Sequence, residues 1–285
     1  MSVGTVRLLI SCPDARGIIA AVTNFVAEHE GNILDADQHT DPQHGEFFMR
    51  LEIDPGGFGL TRASFAAAWQ RVADRFQMRW RVHWGDEVKS MAVLVSKEDH
   101  CLNDLLWRWR TGEHRVRIPL VISNHDALRS TVDMFGLAFH HLPVTDATKA
   151  VQEAKMRGLF HENGVDLIVL ARYMQVLSPQ FVNEFQERII NIHHSFLPAF
   201  AGRKPYHQAF ERGVKIIGAT SHYVTESLDD GPIIAQSTAP VDHRDTIDDL
   251  VRKGRDLERM VLATAVRQHL EDRILVSRNK TVVFD

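Results

Sequence analysis

Cysteine is almost absent from this chain of 285 residues: only Cys12 and Cys101 occur. Two thiols cannot build a disulfide framework, and their scarcity suits a reducing compartment. Long apolar runs are also missing, and nothing approaches the ~20 residues that a membrane-spanning helix needs. The opening MSVGTVRLLISCPD has neither the basic region nor the apolar core of a signal peptide. There is no basic excess either. Lys and Arg total 33 against 37 Asp and Glu, a formal charge of −4, which argues against a general nucleic-acid or anionic-membrane surface. No repeat or low-complexity segment interrupts the chain. These absences predict a cytoplasmic protein with neither nucleic acid nor membrane as partner. What is present is ordinary: 44% hydrophobic and 25% charged residues, a globular composition, with length for one large domain or two ordinary ones. The unusual count is 16 histidines.

Periodicity divides the chain. Val6, Leu8 and Ile10 alternate as a strand, CPDARG turns, and Ile18, Val22 and Phe25 recur at helical spacing. EGN stops that helix. A polar strand follows through Ile33 and Leu34. Next comes an alternating strand with Phe47, Met49, Leu51 and Ile53 on one face and Glu46, Arg50 and Glu52 on the other. Phe65, Trp69, Val72 and Phe76 mark a second helix. Met78, Trp80, Val82 and Trp84 alternate in a last strand. The order βαββαβ is ferredoxin-like and predicts a first domain over residues 1–86. From residue 87 to 285 the grammar changes. MAVLVS, IPLVIS, GVDLIVLA and RIINIH are nearly continuous apolar runs, as buried parallel strands require. Helical segments lie between them, one spaced by Ala150, Ala154, Met156 and Phe160. This pattern predicts an α/β class, doubly wound and mostly parallel. A long helix capped by Thr246 and Asp249, then a hairpin with Asn279 near its turn, close the chain.

Chemistry gathers at strand ends. In open α/β sheets ligands bind beyond the carboxyl ends of the strands, and RIINIHHSFLPAF ends a strand with Asn191, His193 and His194. Alternation places Asn191 and His193 on one face and sends His194 to the other, where a structural role is expected. An amide can stabilise an oxyanion, and an imidazole can move a proton near neutral pH. A second strand, Ile216 to Val224, leads into a loop with Glu226, Asp229, Asp230 and Gly231-Pro232. The same residues read equally well as strand-end hydrogen-bonding groups and a solvated acidic turn. The adjacent pairs His140-His141 and His193-His194 point to opposite faces and chelate poorly, so no metal is expected.

Three stretches in this order, ARYMQVLSP, NIHHSFLPAF and GATSHYVTESLDDGPIIAQ, resemble the formyltetrahydrofolate-dependent formyltransferase fold. The resemblance runs from about Ser90 to the end. It implies a catalytic trio of Asn191, His193 and Asp229. It also implies a folate-contacting segment at Met174, Gln175, Val176 and Leu177. From their positions alone, Glu226 in the acidic loop and His222 on the strand before Asp229 are candidates for the substrate side, His222 as a supporting partner of the site or, equally well, as a structural residue. Members that formylate a glycinamide ribonucleotide carry a glycine-rich phosphate cradle after the first strand of the fold. Here that place reads VSKEDHCLNDLL, with Glu98 and Asp99 where a phosphate would be repelled. Initiator-tRNA formylation is disfavoured by the charge of −4 and by the RNA-binding extension that branch carries. Water is then the simplest acceptor, and the whole chain resembles the formyltetrahydrofolate deformylase family, which places an ACT domain before the hydrolase domain.

That resemblance implies hydrolysis of 10-formyltetrahydrofolate to formate and tetrahydrofolate, supplying formate for purine synthesis and balancing one-carbon folate pools. The folate is a substrate, and no cofactor is implied. The alternatives are transfer to an unidentified amine acceptor and a regulator whose hydrolase half is inactive. ACT domains imply an amino-acid effector, for which Asp14, Gly17 and Asn32 are candidates, and a homo-oligomer through edge-strand pairing. Cys101 is expected as an inert lining residue. Arg203, Tyr206 and Gln208 are expected at the mouth of the site, Arg203 standing where the family commonly has a small residue.

Overall fold

The computed structural model describes residues 4–198 and 205–284. The chain divides into two compact units. The first takes the chain up to Val88 and adds Glu271–Ser277 and the stretch from Val282. The second comprises Lys89–Leu270 and Arg278–Thr281. A boundary between residues 86 and 87 would leave all of the C-terminal stretch in the second unit; most of it groups with the first.

In the first unit β1 (Val6–Pro13), α1 (Ile18–Glu28), β2 (Asn32–Asp41), β3 (Glu46–Asp54), α2 (Arg62–Phe76) and β4 (Arg79–Trp84) follow the βαββαβ order. The sheet order is β2-β3-β1-β4. Period-2 alternation turns Val6, Leu8, Ile10, Phe47, Met49, Leu51 and Ile53 towards Val22, Phe25, Phe65 and Trp69 of the two helices, making one core. The opposite face is not simply polar. Leu9 and Phe48 pack there with Leu275 of β12 (Ile274–Ser277) and with Phe284, just past β13 (Lys280–Val283). Arg50, predicted on a polar face, is 1% exposed. Its guanidinium donates to the Asp272 carbonyl at 2.9 Å and pairs with Glu52. A buried guanidinium needs such partners, and the C-terminal stretch supplies them.

The second unit runs β5 (Met91–Val95), α3 (His100–Arg110), β6 (Leu120–Ser123), α4 (Arg129–Met134), β7 (Ala138–His141), α5 (Lys149–Glu162), β8 (Leu167–Leu170), α6 (Pro179–Glu184), β9 (Ile189–His193), α7 (Pro205–Arg212), β10 (Ile216–Tyr223), β11 (Ile233–Pro240) and α8 (Ile247–Leu270). Its sheet order is β11-β10-β9-β8-β5-β6-β7. Strands β9-β8-β5-β6-β7 are parallel, and β10 and β11 join antiparallel. Chain order reverses between β5 and β8, which makes that edge the switch point of the sheet. On one face α5 and α6 bury Met156, Phe160, Phe181 and Val182 against Leu94, Ile122, Ile168 and Ile189. The inward stripe of α5 is Gln152, Glu153, Met156 and Phe160; Ala150 and Ala154, which the spacing placed on it, are exposed. Helix α8 packs against β9, β10 and β11. Its N-terminus is a reciprocal box: the Asp249 N–H donates to Thr246 Oγ1 at 3.2 Å, and the Thr246 N–H to Asp249 Oδ2 at 3.0 Å.

The outer cover of the first sheet is a direct test of this packing. Phe48→Ala should cost about 3–5 kcal/mol, as ring deletion from a core does. Denaturant unfolding followed by the signal of the first unit would measure it, and a loss under about 1 kcal/mol would mean that the C-terminal stretch does not cover that face.

Candidate active site

The change from parallel to antiparallel pairing builds the site. Because β10 runs against β9, His222 lies directly across from Asn191, and Thr220 across from His193. Period-2 alternation keeps Asn191 and His193 on the same face of β9. The pairing of β10 with β11 shifts register between Ser221 and His222, a bulge of the kind that re-aims a side chain.

Hydrogen bonds fix each group. His222 Nδ1 lies 2.9 Å from the Tyr223 carbonyl oxygen. A carbonyl only accepts, so Nδ1 carries the proton and Nε2 is left with a lone pair. Asn191 Nδ2 donates to that Nε2 at 3.2 Å. The amide is thereby turned with its NH₂ inward, and its second N–H is available to a ligand. Burial holds the His222 pKa below its ordinary value, against the opposing pull of the Tyr223 bond and Asp229. The ring therefore stays neutral and keeps accepting.

His193 faces Asp229: Nδ1 and Oδ2 are 3.2 Å apart. The His193 bond holds the Asp229 carboxyl below its usual range, and burial only partly opposes it. An ionised carboxylate accepts from Nδ1–H, which leaves His193 Nε2 as the free ring nitrogen. That nitrogen is buried and has no hydrogen-bond partner among the described residues. Asp229 itself sits in the left-handed region, φ 54°, which a non-glycine residue seldom adopts. Gly231, two residues on, is required by close approach: a Cβ there would lie 1.7 Å from the Tyr223 carbonyl oxygen. Asn279 Nδ2 donates to the Asp230 carbonyl at 2.9 Å, and Thr281 Oγ1 to that of Ile233 at 2.6 Å. Both ties hold the acidic loop.

A cavity of about 540 Å³ opens beside this trio, within the size range of small-molecule sites. Asn191, His193, Asp229, His222 and Glu226 line it, and so do Met174, Gln175, Val176 and Leu177. Every predicted substrate-side residue of the second unit thus meets in one place. Met174, Val176 and Leu228 are exposed apolar side chains on its wall. The Met174–Leu177 segment is irregular but held at both ends. The Met174 N–H donates to Ser96 Oγ at 2.9 Å, and Ser96 Oγ donates to Asn124 Oδ1 at 2.7 Å. Ser178 caps α6 through the Phe181 N–H, 3.2 Å away, while its own N–H donates to the buried Glu153 at 2.9 Å. Glu226 accepts from Asn183 Nδ2 at 2.5 Å.

Several expectations need correction. His194 does not face away. The strand ends at His193, alternation stops there, and His194 stacks on His193 with ring centroids 5.1 Å apart while lining the cavity. Burial, helped by the Arg172 charge, pushes its pKa down to about 4. Tyr206 and Gln208 are not among the described lining residues: Tyr206 turns inward to α8, where its hydroxyl donates to Glu258 at 2.7 Å, and Gln208 is exposed. Cys101 is buried without lining the cavity. Burial pushes its thiol well above the ordinary value, so it is no nucleophile. Arg203 lies outside the described residues. In the first unit, Asp14 and Gly17 share the turn after β1, and Gly17 takes φ 90°. Asn32 lies at the opposite end of the sheet. Pro13 pairs with Glu46, Asn32 with Asp54 and Val6 with Ile53, so a strand length of roughly 25 Å separates them.

Sequence reasoning missed Arg172, which lies inside the quoted ARYMQVLSP, lines the cavity and takes φ 64°. Among the described residues, one grouping offers metal-ligand atoms within 4.8 Å of one another: His100, Cys101 and Glu258. Its carboxylate already accepts from Tyr206, meets His100 Nε2 at 2.8 Å and faces the Arg172 cation at 3.4 Å.

A mostly parallel sheet with an Asn-x-His strand end and an acidic Gly-Pro loop is the formyl transferase architecture, and a sequence model of the formyl transferase family matches residues 89–266. A model of the ACT domain matches residues 6–63. The formyltetrahydrofolate deformylase of Synechocystis is 54% identical over 98% of both chains. The crystal structure of a formyltetrahydrofolate deformylase from Pseudomonas syringae pv. tomato superposes with a TM-score of 0.97 at 49% identity, covering 100% of this chain and 96% of that one. A glycinamide ribonucleotide transformylase from Symbiobacterium toebii matches 72% of this chain and 98% of its own, with a TM-score of 0.66 and 31% identity. The chain belongs to the formyl transferase family, in its ACT-bearing formyltetrahydrofolate deformylase branch.

The neutral His222 that aims Asn191 is open to test. His222→Phe preserves a flat ring and removes both nitrogens. It should lower kcat on the order of 10²-fold, the cost of misplacing a reacting group, with KM for the folate little changed. A loss confined to KM would remove His222 from the orienting role.

Proposed function

We propose that this protein hydrolyses 10-formyltetrahydrofolate to formate and tetrahydrofolate. The observation that carries the reading is the buried His193 Nε2, without a hydrogen-bond partner among the described residues, backed by Asp229 on Nδ1 and sharing a cavity wall with the aimed Asn191 amide. His193 Nε2 takes a proton from water as the water oxygen attacks the formyl carbon. The second N–H of Asn191 meets the oxygen on which negative charge develops. Asp229 holds the Nδ1–H tautomer and stabilises the imidazolium that forms. The N10–carbon bond then breaks, His193 returns its proton to N10, and formic acid loses its own proton to solvent as formate. The apolar side chains Met174, Val176, Leu177 and Leu228 on the cavity wall receive the flat folate rings. The folate is the substrate, and this chemistry calls on no cofactor or metal. We place the protein in the cytoplasm. Among the described residues, no helix is long and apolar enough to cross a membrane.

The test is formate release from 10-formyltetrahydrofolate with no amine added, followed alongside tetrahydrofolate absorbance. The two products should appear in equal amounts. Asn191→Ala should lower kcat about 10²–10³-fold, as loss of an oxyanion donor does. Formate formation that depends on an added amine would favour transfer instead.

The ACT unit carries a second reading: an amino acid bound at the turn of Asp14 and Gly17, with the protein a homo-oligomer. Asn32 stands at the far end of the same sheet and on its edge strand β2, so it joins such a site only from a second protomer. Calorimetric titration with glycine and methionine should give saturable heat that Gly17→Val, strained at φ 90°, abolishes. No heat from either amino acid would count against an effector of this kind.

A further inference from the structure

The sheet makes a place for a ligand that the structure fills with its own side chains. In a doubly wound sheet the crevice lies beyond the carboxyl ends of the two strands where chain order reverses. Here these are β5 and β8, which run parallel and adjacent. The chain that follows β5 begins α3 at His100, and the chain that follows β8 passes through Arg172. Between them stands Glu258 of α8, 1% exposed. Its Oε2 lies 2.8 Å from His100 Nε2 and 3.4 Å from Arg172 Nε. Its Oε1 accepts from the Tyr206 hydroxyl at 2.7 Å. Both sides of the switch point are therefore tied to one buried carboxylate.

Tyr206 is fitted to this place. Gly254 lies one helical turn before Glu258, and a Cβ there would fall 2.0 Å from the Tyr206 hydroxyl oxygen and 2.2 Å from its ring carbon Cζ. The ring thus rests on bare helix backbone, and only glycine admits it. Burial pushes the Glu258 carboxyl up, but His100, Arg172 and Tyr206 together hold it below its ordinary value. The Glu258 carboxylate is matched by this cluster on both oxygens, and a buried charge of this kind is costly to strip of a partner; Arg172 Nε and Nη1 and His100 Nδ1 have no hydrogen-bond partner among the described residues. It also adjoins the reacting groups. Arg172 lines the open cavity, and the Tyr206 and His194 rings are 6.2 Å apart. Glu98, expected to repel an acceptor from this place, instead pairs with Arg255 at the surface, 2.9 Å away.

We propose that the Glu258–Tyr206–His100–Arg172 cluster is a built-in occupant of the acceptor half of the crevice, and that by filling it the cluster confines the destination of the formyl group to water. The inference rests on the hydrolytic reading above and adds its specificity determinant. An amine acceptor needs room on the side of the formyl carbon away from the folate, and water does not. With that room, an amine nitrogen attacks the formyl carbon, the N10–carbon bond breaks, and one amine proton ends on N10. The products are then an N-formyl amine and tetrahydrofolate.

The experiment supplies 10-formyltetrahydrofolate and glycinamide, a small primary amine, to the full-length protein and quantifies N-formylglycinamide and formate by mass spectrometry. The unmodified protein should give formate alone. Tyr206→Ala, which empties the ring's seat, should raise the ratio of formylated amine to formate by about tenfold or more, the range a pocket contact commands. Tyr206→Phe, which keeps the seat filled, should stay near the unmodified ratio. Gly254→Ala displaces the ring from the opposite side and should move the ratio as Tyr206→Ala does; it decides the matter where Tyr206→Ala fails to fold. A folded, hydrolytically active Tyr206→Ala or Gly254→Ala protein with an unchanged ratio would overturn the proposal. So would an unmodified protein that already formylates glycinamide. Absence of formate from the unmodified protein without amine is a different outcome, and it would overturn the hydrolytic reading itself.

Discussion

The hydrogen bond between Asn191 and His222 is the contact on which the site depends. It exists because β10 enters antiparallel beside β9 and sets His222 across from Asn191. An asparagine alone at a strand end has two equivalent faces, an oxygen and an NH₂, and nothing selects between them. A neutral imidazole whose Nδ1–H is committed to the Tyr223 carbonyl selects the NH₂. The desolvation that lowers the His222 pKa therefore helps to set the direction of the Asn191 amide, although the ring itself need not touch a ligand. The bulge at Ser221/His222 and the close approach of Gly231 to Tyr223 bring the Asp229 loop over the same strand end.

Three imidazoles within one small region do different work because their surroundings differ. His222 is buried and bonded to a backbone carbonyl, and it orients. His194 is held neutral by burial and by Arg172, and its ring backs that of His193. His193 has an ionised carboxylate on one nitrogen and no hydrogen-bond partner among the described residues on the other, the arrangement of a group that moves a proton. The same logic extends to the buried Glu258. Its partners come from α3, the loop after β8 and α7, so it pins the elements around the switch point while it occupies the crevice.

Periodicity was enough for the two architectures, because alternation and helical spacing record which face is buried. Asn191 and His193 were legible for the same reason: both lie on one strand, two residues apart. What escaped was set by pairing between distant segments. His222 as the partner of Asn191 requires the β9–β10 register, which no local pattern contains. His194 was misplaced because alternation was carried one residue past the end of the strand. Arg50 read as solvent-facing because its cover, Asp272 and the C-terminal strands, lies more than 200 residues away. Glu258 sits among charged residues of a long helix and looks like surface until His100, Arg172 and Tyr206 are seen around it. The motif resemblance named the trio, but it supplied neither the tautomer nor the acceptor-side cluster.

The most direct test of the central claim is ¹⁵N NMR of the histidine side chains, with His222 assigned by substitution. At neutral pH the His222 ring should be neutral, protonated on Nδ1 and bare on Nε2, and it should titrate below an unperturbed imidazole. A His222 that carries its proton on Nε2, or that titrates at or above the ordinary imidazole value, would contradict the proposed aiming of the Asn191 amide.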